Sequence, residues 1–288
     1  MTTLRTLVSA AELAELVRRG GVLVVDCRFD LADPGKGERD YLAAHVPGAV
    51  YAHLDRDLSD ASRRGFGRHP LPEAAAFSAV LSRWGWTPDT DVVAYDDAGG
   101  ALAASRLWWL LRLAGHERAA VLDGGFAAWR AAGGRTESGP APQRAPGTAQ
   151  VEFAQRMVVG YDELQHGLAQ RSVLLLDGRA AARYRGEVEP VDRVAGHVPG
   201  ASNRPYTENL DASGRFKPPA QLRREYVAVL AGRAPDEVVH MCGSGVTACH
   251  NLLAMEHAGL AGSRVFAPSW SGWIEDPARP VATGAQPG

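Results

Sequence analysis

The chain is written twice, and this repeat restricts the available folds more than any other feature. "VLVVDCRFD" (Val22 to Asp30) returns as "VLLLDGRAA" (Val173 to Ala181), and "AHVPGA" (Ala44 to Ala49) returns as "GHVPGA" (Gly196 to Ala201). "DVVAYDDAGG" (Asp91 to Gly100) pairs with "EVVHMCGSGV" (Glu237 to Val246). "VLDGGFAAW", ending at Trp129, pairs with "VFAPSWSGW", ending at Trp273. Four pairs in one order, at similar spacing, mean two copies of one domain. Between them, "GGRTESGPAPQRAPGTAQ" (Gly133 to Gln150) is rich in Gly, Pro and Ala and has no period, which is linker composition. The expected division is a first domain over 1–135, a linker over 136–150 and a second domain over 151–288. Each copy is long enough to bury its own core.

Within each copy, short apolar runs alternate with helical patterns. "GVLVVDC", "DVVAYD" and "RAAVLDG" are apolar throughout, as strands buried on both faces are. "SAAELAELVRRG" reads as a helix with Ser9 as N-cap, Glu12 completing a capping box and Gly20 as the stop. "ALAASRLWWLLRLAG" reads as another, closed by Gly115. The alternation predicts an α/β fold, each domain a parallel sheet flanked by helices. In such sheets ligands gather beyond the carboxyl ends of the strands.

Charge and composition narrow what the chain can act on. A net charge of −2 gives no electrostatic footprint for nucleic acid or an anionic membrane, so neither is an expected partner. The opening "MTTLRTLVSAAELAELV" is too polar for a signal peptide, and no apolar run approaches ~18 residues, so no membrane span is expected. Three cysteines do not make a disulfide framework, and a reducing cytoplasm is the expected compartment.

The chemistry concentrates at "VVHMCGSGVTACHNLLAMEHAG" (Val238 to Gly259). A strand ends at Met241, a helix runs from Thr247 to Ala258, and Cys242 sits on the corner between them. Gly243 and Gly245 permit backbone angles that other residues resist. Successive N–H groups can then form an anion nest at the positive end of the following helix. A sulfur so placed is favoured as the thiolate, which is the nucleophilic form, and a persulfide on it would be stabilised the same way. A phosphatase loop would place an arginine six residues after the cysteine; here that residue is Ala248, and no arginine occurs up to Gly259. His240, Cys249, His250 and His257 fit no tetrahedral metal spacing, and no metal or other cofactor is expected. Cys27 and the repeated His45 and His197 read as structural, the histidines because they occur in both copies. In the first copy the counterpart of Cys242 is Asp96, which cannot be a sulfur nucleophile.

The duplicated domain, the paired "HVPGA" segments and "CGSGVTA" resemble the rhodanese superfamily, and within it the two-domain 3-mercaptopyruvate sulfurtransferases. The resemblance covers essentially the whole chain and implies two tandem rhodanese-like domains. It also implies a ping-pong reaction in which sulfur passes from a small-molecule donor to the cysteine, and from there to a thiol, thioredoxin or cyanide acceptor. The thiosulfate-using branch carries basic residues after the cysteine, where this chain has Gly243 and Ser244. That favours a donor with a single carboxylate. The alternatives are thiosulfate as donor, or a persulfide carrier or redox sensor that does not turn over.

The resemblance further implies catalytic roles for Cys242, Ser244, His69 (from "GRHPLPE") and Asp55 (from "HVPGAVYAHLD"), with Asp55 orienting the imidazole and Ser244 relaying a proton. It implies that the loop residues Gly243, Gly245, Val246 and Thr247 bind substrate. Arg183, four residues after the "DGR" arginine, would meet the substrate carboxylate through its guanidinium fork. The second substrate arginine of the family falls at Val191 here, and Arg193 is the nearest substitute. Trp270 and Trp273 read as packing residues at the domain interface.

Overall fold

Apolar runs bounded by turn residues become parallel strands in both halves of the chain. The computed structural model describes residues 4, 6–141 and 144–288. In the first half the elements are β1 (Leu7–Val8), α1 (Ala10–Arg19), β2 (Val22–Asp26), α2 (Lys36–Ala43), β3 (Val50–Tyr51), α3 (Leu54–Asp57), α4 (Ala74–Arg83), β4 (Asp91–Tyr95), α5 (Ala104–Leu113), β5 (Ala119–Leu122) and α6 (Gly125–Ala131). The second half supplies α7 (Tyr161–Ala169), β6 (Leu174–Asp177), α8 (Ala181–Tyr184), β7 (Ser202–Asn203), α9 (Pro219–Leu230), β8 (Val238–Met241), α10 (Ala248–His257), β9 (Arg264–Val265) and α11 (Ser269–Trp273). One sheet has the order β1-β5-β4-β2-β3 and the other β7-β6-β8-β9, with every pairing parallel. The helix expected after Ser9 forms with its capping box closed: the Ser9 hydroxyl accepts from Glu12 N–H and the Glu12 carboxylate accepts from Ser9 N–H.

The chain separates into two compact units whose borders are not simple cuts. The first holds residues 1–60, 71–154 and 212–216; the second holds 61–70, 155–211 and 217–288. His69 and its neighbours therefore belong to the second unit, although they lie in the first copy of the repeat. The segment with linker composition does not hang free where it is described. Gly139 and Ala141 N–H donate to Leu42 O and the Tyr41 hydroxyl, while Gly147 and Ala149 N–H donate to Ser82. Low-complexity composition removes side-chain anchors, but the backbone still carries a donor at every residue except proline.

The repeat is reproduced atom by atom. Arg28 closes on Asp26 and donates to Ala44 O; Arg179 closes on Asp177 and donates to Gly196 O. His45 stacks on Tyr41 with Nδ1 at 2.8 Å from Tyr41 O, and His197 stacks on Tyr184 with Nδ1 at 2.9 Å from Tyr184 O. The "HVPGA" histidines thus fasten a tyrosine to the loop behind it, which explains their presence in both copies. After β4 and β8 come helices α5 and α10, buried almost all round, as helices without a polar face must be. Each strand-to-helix corner is thereby carried into the interior of its unit. Trp270 and Trp273 pack within the second unit's own core, at 0% and 2% exposure. Their indole N–H groups donate to Val194 O and Pro280 O.

Candidate active site

Cys242 sits at the carboxyl tip of β8, one loop before α10, and is 1% exposed. Its sulfur accepts the Gly245 N–H at 3.2 Å. The loop is fixed from behind: Cys242 N–H donates to Ser269 Oγ, Trp270 N–H to Cys242 O, and Ser271 N–H to Gly243 O. Ser269 holds a positive φ of 53°, a conformation that costs a non-glycine residue energy. Its hydroxyl in turn donates to Phe266 O.

Of the two loop glycines, only Gly245 uses the conformational freedom expected of both. Its φ is +79°, and a Cβ there would lie 2.2 Å from Ala267 O. Gly243 does not, and a Cβ there would meet its neighbours only at ordinary contact distance. A Cβ there would stand 3.4 Å from Arg68 Nη2 and 3.6 Å from Arg183 Nη1. Val246 is buried, and Thr247 is the N-cap of α10, with no cap bond from its side chain.

The first unit contains a control for this loop. Asp96 occupies the corner after β4, and its carboxylate accepts four backbone N–H groups: Ala98 and Gly100 on one oxygen, Leu102 and Ala104 on the other. Phe126 N–H donates to Asp96 O, as Trp270 N–H does to Cys242 O. The corner is thus an anion nest by construction, and in the first copy a built-in carboxylate fills it. Burial pushes that carboxyl up to about 6, against the pull of the backbone donors.

His69 is 5% exposed and its Nδ1 lies 2.8 Å from Ser244 Oγ, across 175 residues of sequence. The structure therefore brings Cys242, Ser244 and His69 together in one unit. Asp55 lies in α3 of the first unit, where its N–H donates to His53 Nδ1. Arg183, on α8, forks onto Glu189 and reaches Asp192 at 3.1 Å. Burial would raise the Glu189 carboxyl, but Arg183 and the N–H groups of Asp192 and Val191 outweigh it and hold it below the usual glutamate value. The Arg193 guanidinium donates to Ile274 O.

Sequence reasoning passed over Arg68, Glu189 and Asp192. Arg68 donates to Asp192 at 2.7 Å, so one carboxylate braces both Arg68 and Arg183. The available signal was adjacency: Arg68 precedes His69, and the two acids are the first and last residues of the variant "EPVD" segment. The other two cysteines are buried. Cys27 follows β2 with its thiol pushed well up by burial, and the Cys249 thiol donates to Gly245 O.

Two parallel α/β sheets, each with a strand-to-helix loop at the corresponding corner, define one domain repeated in tandem. The chain belongs to the Rhodanese-like domain family, which matches residues 9–132 and 161–276. It is 50% identical to a Pseudomonas aeruginosa protein named "Probable 3-mercaptopyruvate sulfurtransferase", over 96% of this chain and 98% of that one. It is 40% identical to Mycobacterium tuberculosis SseB, whose name carries the words thiosulfate sulfurtransferase, over 97% and 98%. Among solved structures, 3-mercaptopyruvate sulfurtransferase from Leishmania major superposes with a TM-score of 0.83 at 32% identity, covering 95% of this chain and 76% of that one. Among the described residues, no helix is long and apolar enough to cross a membrane.

Proposed function

We propose that the chain is a sulfurtransferase that takes sulfur from 3-mercaptopyruvate, holds it as a persulfide on Cys242, and passes it to a thiol, a thioredoxin or cyanide. The observation that carries this reading is the Cys242 sulfur resting on the Gly245 N–H in a loop without basic side chains, next to the His69–Ser244 pair. The thiolate attacks the donor sulfur, the carbon–sulfur bond breaks, and its electron pair leaves on carbon as the enolate of pyruvate. That enolate needs one proton, and the Ser244 hydroxyl hydrogen-bonded to His69 is placed to relay it. The acceptor then removes the outer sulfur as the Cys242 thiolate leaves. Burial of the sulfur keeps water from competing for the persulfide. Arg183 is the residue for the donor carboxylate. The first domain, over 1–135, supplies no sulfur nucleophile, because a carboxylate fills its nest. The three cysteines are free, which suits a reducing cytoplasm.

Mass analysis of the protein after 3-mercaptopyruvate alone tests the first half-reaction. One added sulfur on Cys242 with one pyruvate released is the expected result; pyruvate release that survives in Cys242→Ser would end the reading. Thiosulfate, the donor in the M. tuberculosis relative's name, is the competing donor, and a higher kcat/KM with thiosulfate would replace the present assignment. A single turnover with no second would reduce the protein to a persulfide carrier.

A further inference from the structure

We propose that Ser271 is a positioning residue: it sets the distance between His69 and Ser244 by holding the residue that precedes each of them. The inference rests on the reading that the His69–Ser244 pair moves the proton. Ser271 lies in α11 and is 9% exposed. Its N–H donates to Gly243 O at 2.8 Å, and Gly243 precedes Ser244. Its hydroxyl oxygen accepts the Arg68 N–H at 3.0 Å, and Arg68 precedes His69. One residue therefore grips the cysteine loop with its backbone and the histidine segment with its side chain. The two gripped segments meet one residue further on, where His69 Nδ1 lies 2.8 Å from Ser244 Oγ.

Residues 65–69 form a strap across the second unit, and the chain around α11 is shaped to receive it. The Tyr161 hydroxyl donates to Gly65 O at 2.8 Å, and Gly67 N–H donates to Glu275 at 2.9 Å. Two glycines face each other between these anchors. A Cβ on Gly67 would lie 2.5 Å from Pro268 O and 2.8 Å from Ser271 Oγ. One on Gly272 would lie 2.5 Å from the Tyr161 hydroxyl and 3.1 Å from Gly67 N. Strap and helix thus touch backbone to backbone, with no flexible side chain between them to absorb a shift. Tyr161 and Glu275 hold the strap to the unit, and Ser271 holds it to the loop. Proton transfer between an imidazole and a hydroxyl depends steeply on geometry, and a displacement of ~1 Å can cost about a hundredfold in rate. The bond at the Ser271 hydroxyl therefore matters more to turnover than to stability.

Ser271→Ala deletes that hydroxyl and keeps the N–H bond to Gly243 O, so it frees the strap while the loop stays fixed. In the full-length variant, kcat for pyruvate release from 3-mercaptopyruvate should fall roughly tenfold, with KM within about twofold of wild type. Alkylation of Cys242 by iodoacetamide, which needs the loop but no proton from His69, should stay within about twofold. Added to His69→Ala, the same change should cost less than about twofold, because its effect passes through the imidazole. The His69 imidazole NMR signals, identified by their loss in His69→Ala, should shift in Ser271→Ala. Ser271→Cys keeps a side chain of similar shape, accepts hydrogen bonds only weakly, and carries the test if the alanine variant does not fold. Unchanged kcat, unchanged His69 signals, or an equal loss in the His69→Ala background overturns the proposal. Alkylation slowed in step with kcat also overturns it, making Ser271 only a support of the loop. If the wild-type protein releases no pyruvate from 3-mercaptopyruvate, the assigned reaction fails, and the His69 signals alone decide whether Ser271 positions the histidine.

Discussion

Replacing Asp96 by asparagine isolates the cost of the filled nest in the first unit. The wild-type carboxyl is raised from 3.8 to about 6, chiefly by complete burial, and four backbone N–H groups offset only part of that burial. A folded-state value above the unfolded one means that the native protein binds the proton more tightly. The stabilisation from that proton is complete below pH ~4 and is lost as pH rises through about 6. The gap of roughly two units, at about 1.4 kcal/mol each, amounts to about 3 kcal/mol. Asp96→Asn carries no titrating group there, so the wild-type minus variant stability should decline by that order between pH 4 and 7 and be flat above it. Urea unfolding of both proteins at half-unit pH steps, read on the transition that the substitution shifts, measures this. Parallel curves across the window would refute the reasoning, and a difference growing with pH would show that the N–H groups outweigh burial.

Other perturbations target the second unit. Gly245→Ala forces an alanine to φ +79° and a Cβ to 2.2 Å from Ala267 O, so the loop must move; thermal melting should drop by several degrees and Cys242 alkylation should slow. Ser244→Ala removes the partner of His69 Nδ1 and should lower kcat by roughly ten- to a hundredfold, with KM little changed in steady-state assays. Glu189 has a depressed carboxyl, so its contribution to stability is present above its unfolded value of about 4.5 and lost as pH falls through the lower folded one. Glu189→Gln should therefore narrow its stability deficit in acid, and it should raise KM by loosening Arg183, both measurable on one preparation.

The sequence alone determined the duplication, the parallel α/β class, the corner position of Cys242 and the carboxylate at the matching corner, Asp96. All of these follow from local patterns: apolar runs, glycines, and motifs repeated in order. His69 could be named from its segment, yet only the folded chain carries it across 175 residues to Ser244 and assigns residues 61–70 to the second unit. The duty of Gly245 was equally invisible, because its positive φ and the close approach of Ala267 O depend on backbone outside the loop. Arg68 and Arg193 look alike as letters. Tertiary structure separates them, setting one against Gly243 and tying the other to the Ile274 carbonyl. A side chain's chemistry is written in the sequence, but the partner that uses it is chosen by packing.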